Sequence, residues 1–515
     1  MIGVAGGNDT FTGTSLTYGA NDIIVDGSAS DSDSLTVTAT GDISATATVV
    51  NVENVNFVLA GASASGGDDA QTFDINVANV TNSSVISADV SFSGSAVTKV
   101  AFDNVKTNAT LSATSDFSTV TVTSVDNADY TLNVGGASAT SVVSVVDAGS
   151  TADDVTINST TRLTITSTVL DGDLTLTAAG DIIVTESDES ATLTATSTGG
   201  SVTVTTADAA TSLTLAAKDE VVVTGATGAT TVTVSAGGTG ATSATTASTV
   251  TATAMTTLNV SGNAQALKVD ASESDALAAV VVSGDQDVEV VVDGNEVKDI
   301  SNFAFTDNST GTSVLNINLS AGGGAAVLDL DHALADQIKL TADMNADEIT
   351  VASGAAVVIA NDQTALNLNL AYATRTTNTV SITVADDSTT ANADSYDVAD
   401  LDVVYASAVT LAISDASVAS GGVNLDNIDV GTASLTVSGS SALDVGQVTA
   451  GSFNASAHTG AIAIDLVGVA TVATVTTGSG ADTISQITAD LTTGGYTISS
   501  GAGADSITFG IPPNL

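Results

Sequence analysis

The sequence predicts an all-β protein, a β-solenoid whose coils take about 20 residues and carry two short strands each. The first observation behind this is a repeat. Val155-Thr-Ile157, Leu174-Thr-Leu176, Leu193-Thr-Ala195, Leu213-Thr-Leu215 and Val232-Thr-Val234 follow one another at steps of 19 or 20 residues. A second series, Leu163-Thr-Ile165, Ile182-Ile-Val184, Val202-Thr-Val204 and Val221-Val-Val223, keeps that step and starts eight or nine residues after the first. The second observation is the inner pattern of the triplets: apolar residues at i and i+2 with Thr in most centres, the period of a strand with one buried and one wet face. The third is composition. A run of hairpins in a β-sandwich would also space strands this way, but sandwich cores carry large aromatic plugs, and this chain has no Trp and 3% aromatics.

Taken in order, the chain divides into four regions. Residues 1–150 read as an N-terminal β domain with Asp/Gly turns. Strands are expected at Leu35–Ala39, Val52–Leu59, Val97–Phe102, Val120–Thr123 and Tyr130–Val134, plugged by Phe57, Phe73, Phe92, Phe102 and Phe117. Residues 151–248 hold the solenoid repeat, with polar turns such as Ala179-Gly-Asp181 and Thr224-Gly-Ala-Thr-Gly228, and close on a Gly/Thr/Ala/Ser stretch at 236–249 that reads as a linker or a long loop. Residues 249–348 resume strands at Leu258, Leu267, Val280 and Val288, and Val327–Asp347 is the best helical candidate, with Leu328, Leu334 and Ile338 loosely spaced. Residues 349–515 return to the Val/Thr/Ala strand pattern, broken by an acidic loop at Asp394–Asp402 and stopped by Pro512 and Pro513. Outside 150–236 the step drifts, which leaves two readings open there: further coils, or other β domains flanking the solenoid.

Charge narrows the partners. The formal net charge is −50, from 58 acidic against 8 basic residues, and nearly all the acids are Asp. Asp favours turns and metal ligation where Glu favours helices, so the acids belong to the loops between strands. Such a surface repels nucleic acid and anionic lipid, and it attracts cations. The chain has no Cys, hence no disulfide and no thiolate metal site. No 18-residue apolar run exists to form a membrane-spanning helix. The N-terminal residues lack the basic and apolar regions of a cleaved signal peptide.

The chemistry-bearing motifs are Gly/Asp turns. Near the N-terminus, Gly6-Gly-Asn8-Asp9-Thr-Phe11, Gly19-Ala-Asn-Asp22-Ile-Ile24 and Asp26-Gly-Ser-Ala-Ser-Asp31-Ser-Asp33-Ser-Leu35 each place an apolar residue two after an Asp. At the C-terminus, Gly478-Ser-Gly480-Ala-Asp482-Thr-Ile484 and Gly501-Ala-Gly503-Ala-Asp505-Ser-Ile507 match Gly-x-Gly-x-Asp-x-apolar in full, with Thr477 and Ser500 where the calcium nonapeptide has its first Gly. Glycine frees backbone carbonyls, and the Asp carboxylates add the charged oxygens that Ca²⁺ requires. Asn8, Asp9, Asp22, Asp26, Asp31, Asp33, Gly478, Gly480, Asp482, Gly501, Gly503 and Asp505 are therefore the candidate Ca²⁺ residues. The two C-terminal copies lie 23 residues apart, so they predict isolated sites, not a continuous calcium ladder.

The Gly/Asn/Asp-Thr-Phe-Thr-Gly opening, the Thr/Ala/Val-rich body, the missing Cys and the C-terminal Gly-x-Gly-x-Asp pair together resemble the RTX-type S-layer proteins of Gram-negative bacteria. The resemblance implies export by a type I system through an uncleaved C-terminal signal, folding outside the cell on Ca²⁺, and a two-dimensional lattice of copies held to lipopolysaccharide. The expected function is thus a non-enzymatic, calcium-dependent, self-assembling structural protein at the cell surface. A segment of a secreted RTX adhesin is the alternative. An extracellular polysaccharide-cleaving β-helix ranks third, because 8 basic residues and few aromatics supply little to bind acidic sugars. His332 and His458 stand in unlike contexts, which argues against a Ser-His-Asp or His-metal centre.

Overall fold

The computed structural model describes residues 1–60, 72–90, 99–106, 108–115, 117–125, 129–135, 140–147, 154–187, 190–236, 247–262, 266–297, 303–318, 327–344, 346–352, 354–361, 366–370, 379–385, 396–414, 422–466, 474–487 and 497–509. They are nearly all β, in parallel stacked coils that form a β-solenoid of about 17 turns. The chain divides into two units, Met1–Leu267 and Lys268–Leu515.

In the first unit, from the coil of Asn54–Leu59 onward, each coil contributes one strand to each of two main sheets. The first sheet begins Thr10–Thr14, Ser34–Ala39, Asn54–Leu59, Val85–Val90, Thr110–Ala113, Tyr130–Val134 and continues through the repeat strands Val155–Ser159 to Thr257–Gly262. Its central inward row runs Phe11, Leu35, Val55, Ile86, Leu111, Leu132, Ile157, Leu176, Ala195, Leu215, Val234 and Val260, each opposite the next. All of these are buried. Leu174, Leu193, Leu213 and Val232 form a parallel inward row, as the repeat predicts, and Leu163, Ile182, Val202 and Val221 stack likewise in the second sheet. Stacking also extends upstream of the regular repeat. The step from Leu35 to Val55 is short and that from Val55 to Ile86 is long, yet the inward residues meet in register. Variable loops absorb the difference, because only the strands are held to the neighbouring coil.

Polar residues make ladders of their own on the outer faces. Ser87 donates to Asn56 at 2.8 Å, Asn158 to Asn133 at 3.0 Å, and Asn259 to Thr233 at 3.2 Å. Phe57, Phe73, Phe102 and Phe117 are fully buried, with Tyr18 edge-on to Phe57 at 5.8 Å. In the first coils a third, short sheet of Ile23–Val25, Thr48–Val50 and Val80–Thr81 closes the perimeter.

The second unit repeats the plan with different loops. Val290, Leu315, Ile338, Val357, Ile382, Leu411 and Val437 form one continuous inward row. A facing sheet runs from Val327–Leu330 through Ala346–Val351 and Leu443–Thr449 to Ser506–Phe509.

Two expectations are corrected here. Val327–Asp347 is not a helix but the strands Val327–Leu330, Gln337–Leu340 and the start of Ala346–Val351. In the first two of these strands the buried residues are Leu328 and Leu330, then Ile338 and Leu340, a period of two in each, while Leu334 of the presumed helical stripe is 58% exposed. Among the described residues the one helix is a single turn, Gly294–Val297. The acidic stretch before residue 402 is also largely strand, as Tyr396–Val398 and the start of Leu401–Val404. Phe92, Val97, Asp394, Pro512, Pro513 and all but the ends of the 236–249 stretch lie outside the described residues.

The stacked rows set an expectation for single substitutions. Leu193→Ala should lower the opening free energy of its coil by about 2–5 kcal/mol, whereas Thr194→Ala on the outer face should stay within about 0.5 kcal/mol. Hydrogen exchange of the coil amides reads this directly, and equal effects of the two changes would contradict the inward stacking.

Candidate metal centre

Each strand of the first sheet is entered through a corner, and in the first three coils that corner residue is an acid. Asp9 precedes Thr10–Thr14, Asp33 precedes Ser34–Ala39, and Glu53 precedes Asn54–Leu59. Because the strands are in register, so are the acids. The Asp9 N–H donates to Asp33 Oδ1 at 2.7 Å, and the Asp33 N–H donates to Glu53 Oε2 at 2.8 Å. Two further acids come from the other side. Asp26 follows the short strand Ile23–Val25, its N–H donating to the Val50 carbonyl at 3.1 Å. The loop after it turns back, with Ser28 N–H donating to Asp26 Oδ2 at 2.5 Å and Gly6 N–H to Asp31 Oδ2 at 3.0 Å. The Val4 N–H donates to Asp9 Oδ2 at 2.5 Å.

The result is two groups of three carboxylates that share Asp33. Ligand oxygens of Asp9, Asp26 and Asp33 lie within 4.8 Å of one another, as do those of Asp31, Asp33 and Glu53. Asp26, Asp33 and Glu53 are buried, and Asp26 Oδ1, Asp31 Oδ1, Asp33 Oδ2 and Glu53 Oε1 have no hydrogen-bond partner. The ion pairs Arg162–Asp181 and Lys268–Glu289, and the pair His332–Asp331, lie elsewhere. Two carboxylates 4 Å apart repel by about 4 kcal/mol at an effective dielectric near 20, so this packing is costly without a counter-charge. The Asp9 N–H favours the charged form of Asp33. Lost hydration and repulsion by Asp26, Asp31 and Glu53 outweigh it and raise the Asp33 carboxyl above its ordinary value.

The donor set suits a hard divalent cation. Ca²⁺ sits about 2.3–2.6 Å from each oxygen, so oxygens on one ion are at most about 5 Å apart. The 4.8 Å groups meet that bound. Gly3 lines the same space: a Cβ there would fall 2.8 Å from Asp9 Oδ2 and closer still to Asp26 Oδ1.

The other candidate residues are used differently. Asn8 Oδ1 accepts from Ser32 N–H at 3.1 Å, bracing the loop behind the cluster. Asp22 Oδ2 accepts from Gly19 N–H at 2.7 Å and closes its own turn, apart from the cluster. At the C-terminus, Asp482 Oδ1 accepts from Ile462 N–H at 2.9 Å, and Asp505 Oδ1 accepts from Asp482 N–H at 3.1 Å. This is the corner ladder again, without a third carboxylate grouped around it among the described residues. Asp482 Oδ2 is nonetheless buried and unpartnered. The glycines of those turns serve close stacking: a Cβ on Gly480 would strike the Gly460 carbonyl, and one on Gly503, at φ 140°, the Gly480 carbonyl.

Glu53 escaped the sequence reading because that reading looked for Gly/Asp spacing. The signal present was an acid two residues before the first inward residue of each coil: Asp9 before Phe11, Asp33 before Leu35, Glu53 before Val55. Of the histidines, His458 is wholly buried with Nε2 at 2.9 Å from the Ser441 carbonyl, and His332 pairs with the adjacent Asp331 at the surface. No protein-family model matches this chain, and no curated protein matches it.

The cluster makes stability depend on pH in a definite direction. With chelator present, the folded chain holds the Asp33 proton more tightly than the unfolded chain does. The first coils should therefore gain stability as pH falls through the raised Asp33 value, with the gain complete below the ordinary 3.8. Hydrogen exchange of residues 1–60 between pH 7 and 4 checks this, and Asp33→Asn should abolish the gain. Protection that declines with acid equally in both proteins is the contrary outcome.

Proposed function

We propose that this chain is an extracellular, calcium-dependent structural protein that assembles with copies of itself into a two-dimensional S-layer lattice on a Gram-negative cell. The observation that carries the reading is the set of buried, unpartnered carboxylates in the first coils of a chain at −50. A protein so acidic can bring copies into contact only with cations between or within them, since monovalent salt screens over about 8 Å but does not bridge loops at contact distance. Stacked coils supply the rest: a repetitive surface of Thr, Ser, Asn and Asp that needs no substrate pocket. Under this reading the Gly/Asp turns at Asp482 and Asp505 are further Ca²⁺ sites, the buried Asp482 Oδ2 supporting the first of them. Export by a type I system and attachment to lipopolysaccharide follow from the same resemblance to RTX-type S-layer proteins. The role is structural, not catalytic. A secreted adhesin segment is the competing reading, and it would give calcium-dependent folding without an array.

Extracellular modules bind Ca²⁺ at about 10⁻⁴ to 10⁻³ M, which keeps such a chain unassembled in a low-calcium cytoplasm and orders it outside. Electron diffraction of the assembled protein should lose its spots in excess chelator and regain them in millimolar Ca²⁺, but not in Na⁺ at equal ionic strength. Arrays that keep full order in chelator would sink the calcium dependence, and calcium-loaded protein that never forms arrays would favour the adhesin.

A further inference from the structure

The pairing of two carboxylate groups through one residue points beyond a generic calcium requirement. We propose that the first three coils hold a two-cation site: one divalent ion among Asp9, Asp26 and Asp33, a second among Asp31, Asp33 and Glu53, with Asp33 the shared ligand. The proposal rests on the calcium reading only for the identity of the ion.

Three observations converge on it. Each group has its oxygens within 4.8 Å, the span that one Ca²⁺ permits. Each group also contains an acid more than nine-tenths buried whose free oxygen has no partner: Asp26 Oδ1 at 1% residue exposure in one, Glu53 Oε1 at 8% in the other. Asp33, at 0% exposure, is common to both and keeps Oδ2 free while Oδ1 accepts the Asp9 N–H. One ion would leave three of the five acid charges unmatched in a solvent-shielded corner, whereas two divalent ions leave one. Backbone carbonyls and water supply the remaining ligands to reach six to eight oxygens. The second ion would also offset the repulsion that Asp31 meets beside Asp33 and Glu53, where the Gly6 N–H holds its other oxygen.

Such a site staples three coils together. Asp9 leads into the first strand of the sheet, Asp33 into the second and Glu53 into the third, while Asp26 ties in the short third sheet. Its loss should therefore loosen residues 1–60 before the regular coils of residues 154–236.

The test uses the full chain, with Ca²⁺ as the probe, and counts bound ions by native mass spectrometry across a titration. Asp26→Asn should weaken one ion by on the order of tenfold and leave the other, Glu53→Gln should do the reverse, and Asp33→Asn should weaken both. The proposal is overturned if all three variants retain the wild-type count and affinity. A single ion lost equally in all three would overturn the shared-ligand arrangement. Should a variant misfold, the wild type decides: chelation must lower hydrogen-exchange protection in residues 1–60 ahead of residues 154–236, and unchanged protection there is fatal to the site. None of these readouts involves an array, so failure of the lattice reading and failure of this site are separable.

Discussion

Parallel register between successive coils is the constraint on which everything else rests. A single coil has two short strands and cannot bury its inward residues against itself, so Phe11 is covered by Leu35, Leu35 by Val55, and so on to Val260. Slipping one strand by one residue would turn its inward side chains to solvent and its threonines to the core. That penalty holds the register even where loops between strands change length. It also explains how a chain with 3% aromatics packs a continuous core: Val, Leu, Ile and Ala of similar size recur at the same depth, and few large plugs are needed.

The same register turns isolated acids into columns. A corner Asp has a ready acceptor role, taking the backbone N–H of the next coil, as Asp129 does for Asp154 and Asp154 for Asp173, each at 2.9 Å. Those two acceptors are exposed, and water offsets their charge. In the first coils the bonds run the other way, each acid taking the N–H of the preceding coil, and Asp26, Asp33 and Glu53 are buried beneath the loop from Asp26 to Asp33. An ordinary corner ladder thereby becomes a cluster with unmatched charge. What sets these acids apart from the exposed corner acids is the covering loop, not the acid itself.

Close stacking has a second consequence at the C-terminal turns. Where backbone passes over backbone, as at Gly460, Gly480 and Gly503, no side chain fits, and the Gly-x-Gly-x-Asp pattern satisfies that steric demand whether or not an ion is bound. Pattern alone therefore weighs less at Asp505 than the buried, unpartnered oxygen does at Asp482.

The sequence by itself determined the strand period, the inward rows from Val155 to Val234 and the acidic, cysteine-free surface, because these depend on neighbours at fixed short spacing. It also marked Asp9, Asp26, Asp31 and Asp33, since Asp in a Gly-rich turn is a local signal. Only the tertiary structure decided that stacking extends upstream to Phe11, because loops of unequal length hide the repeat while the register survives. It likewise decided that Val327–Leu330 and Gln337–Leu340 are strands: each is too short for its period to stand out, and the adjacent coil fixes its conformation. Glu53 joins Asp33 for the same reason. Twenty residues separate them along the chain, and a parallel hydrogen-bond ladder sets them side by side.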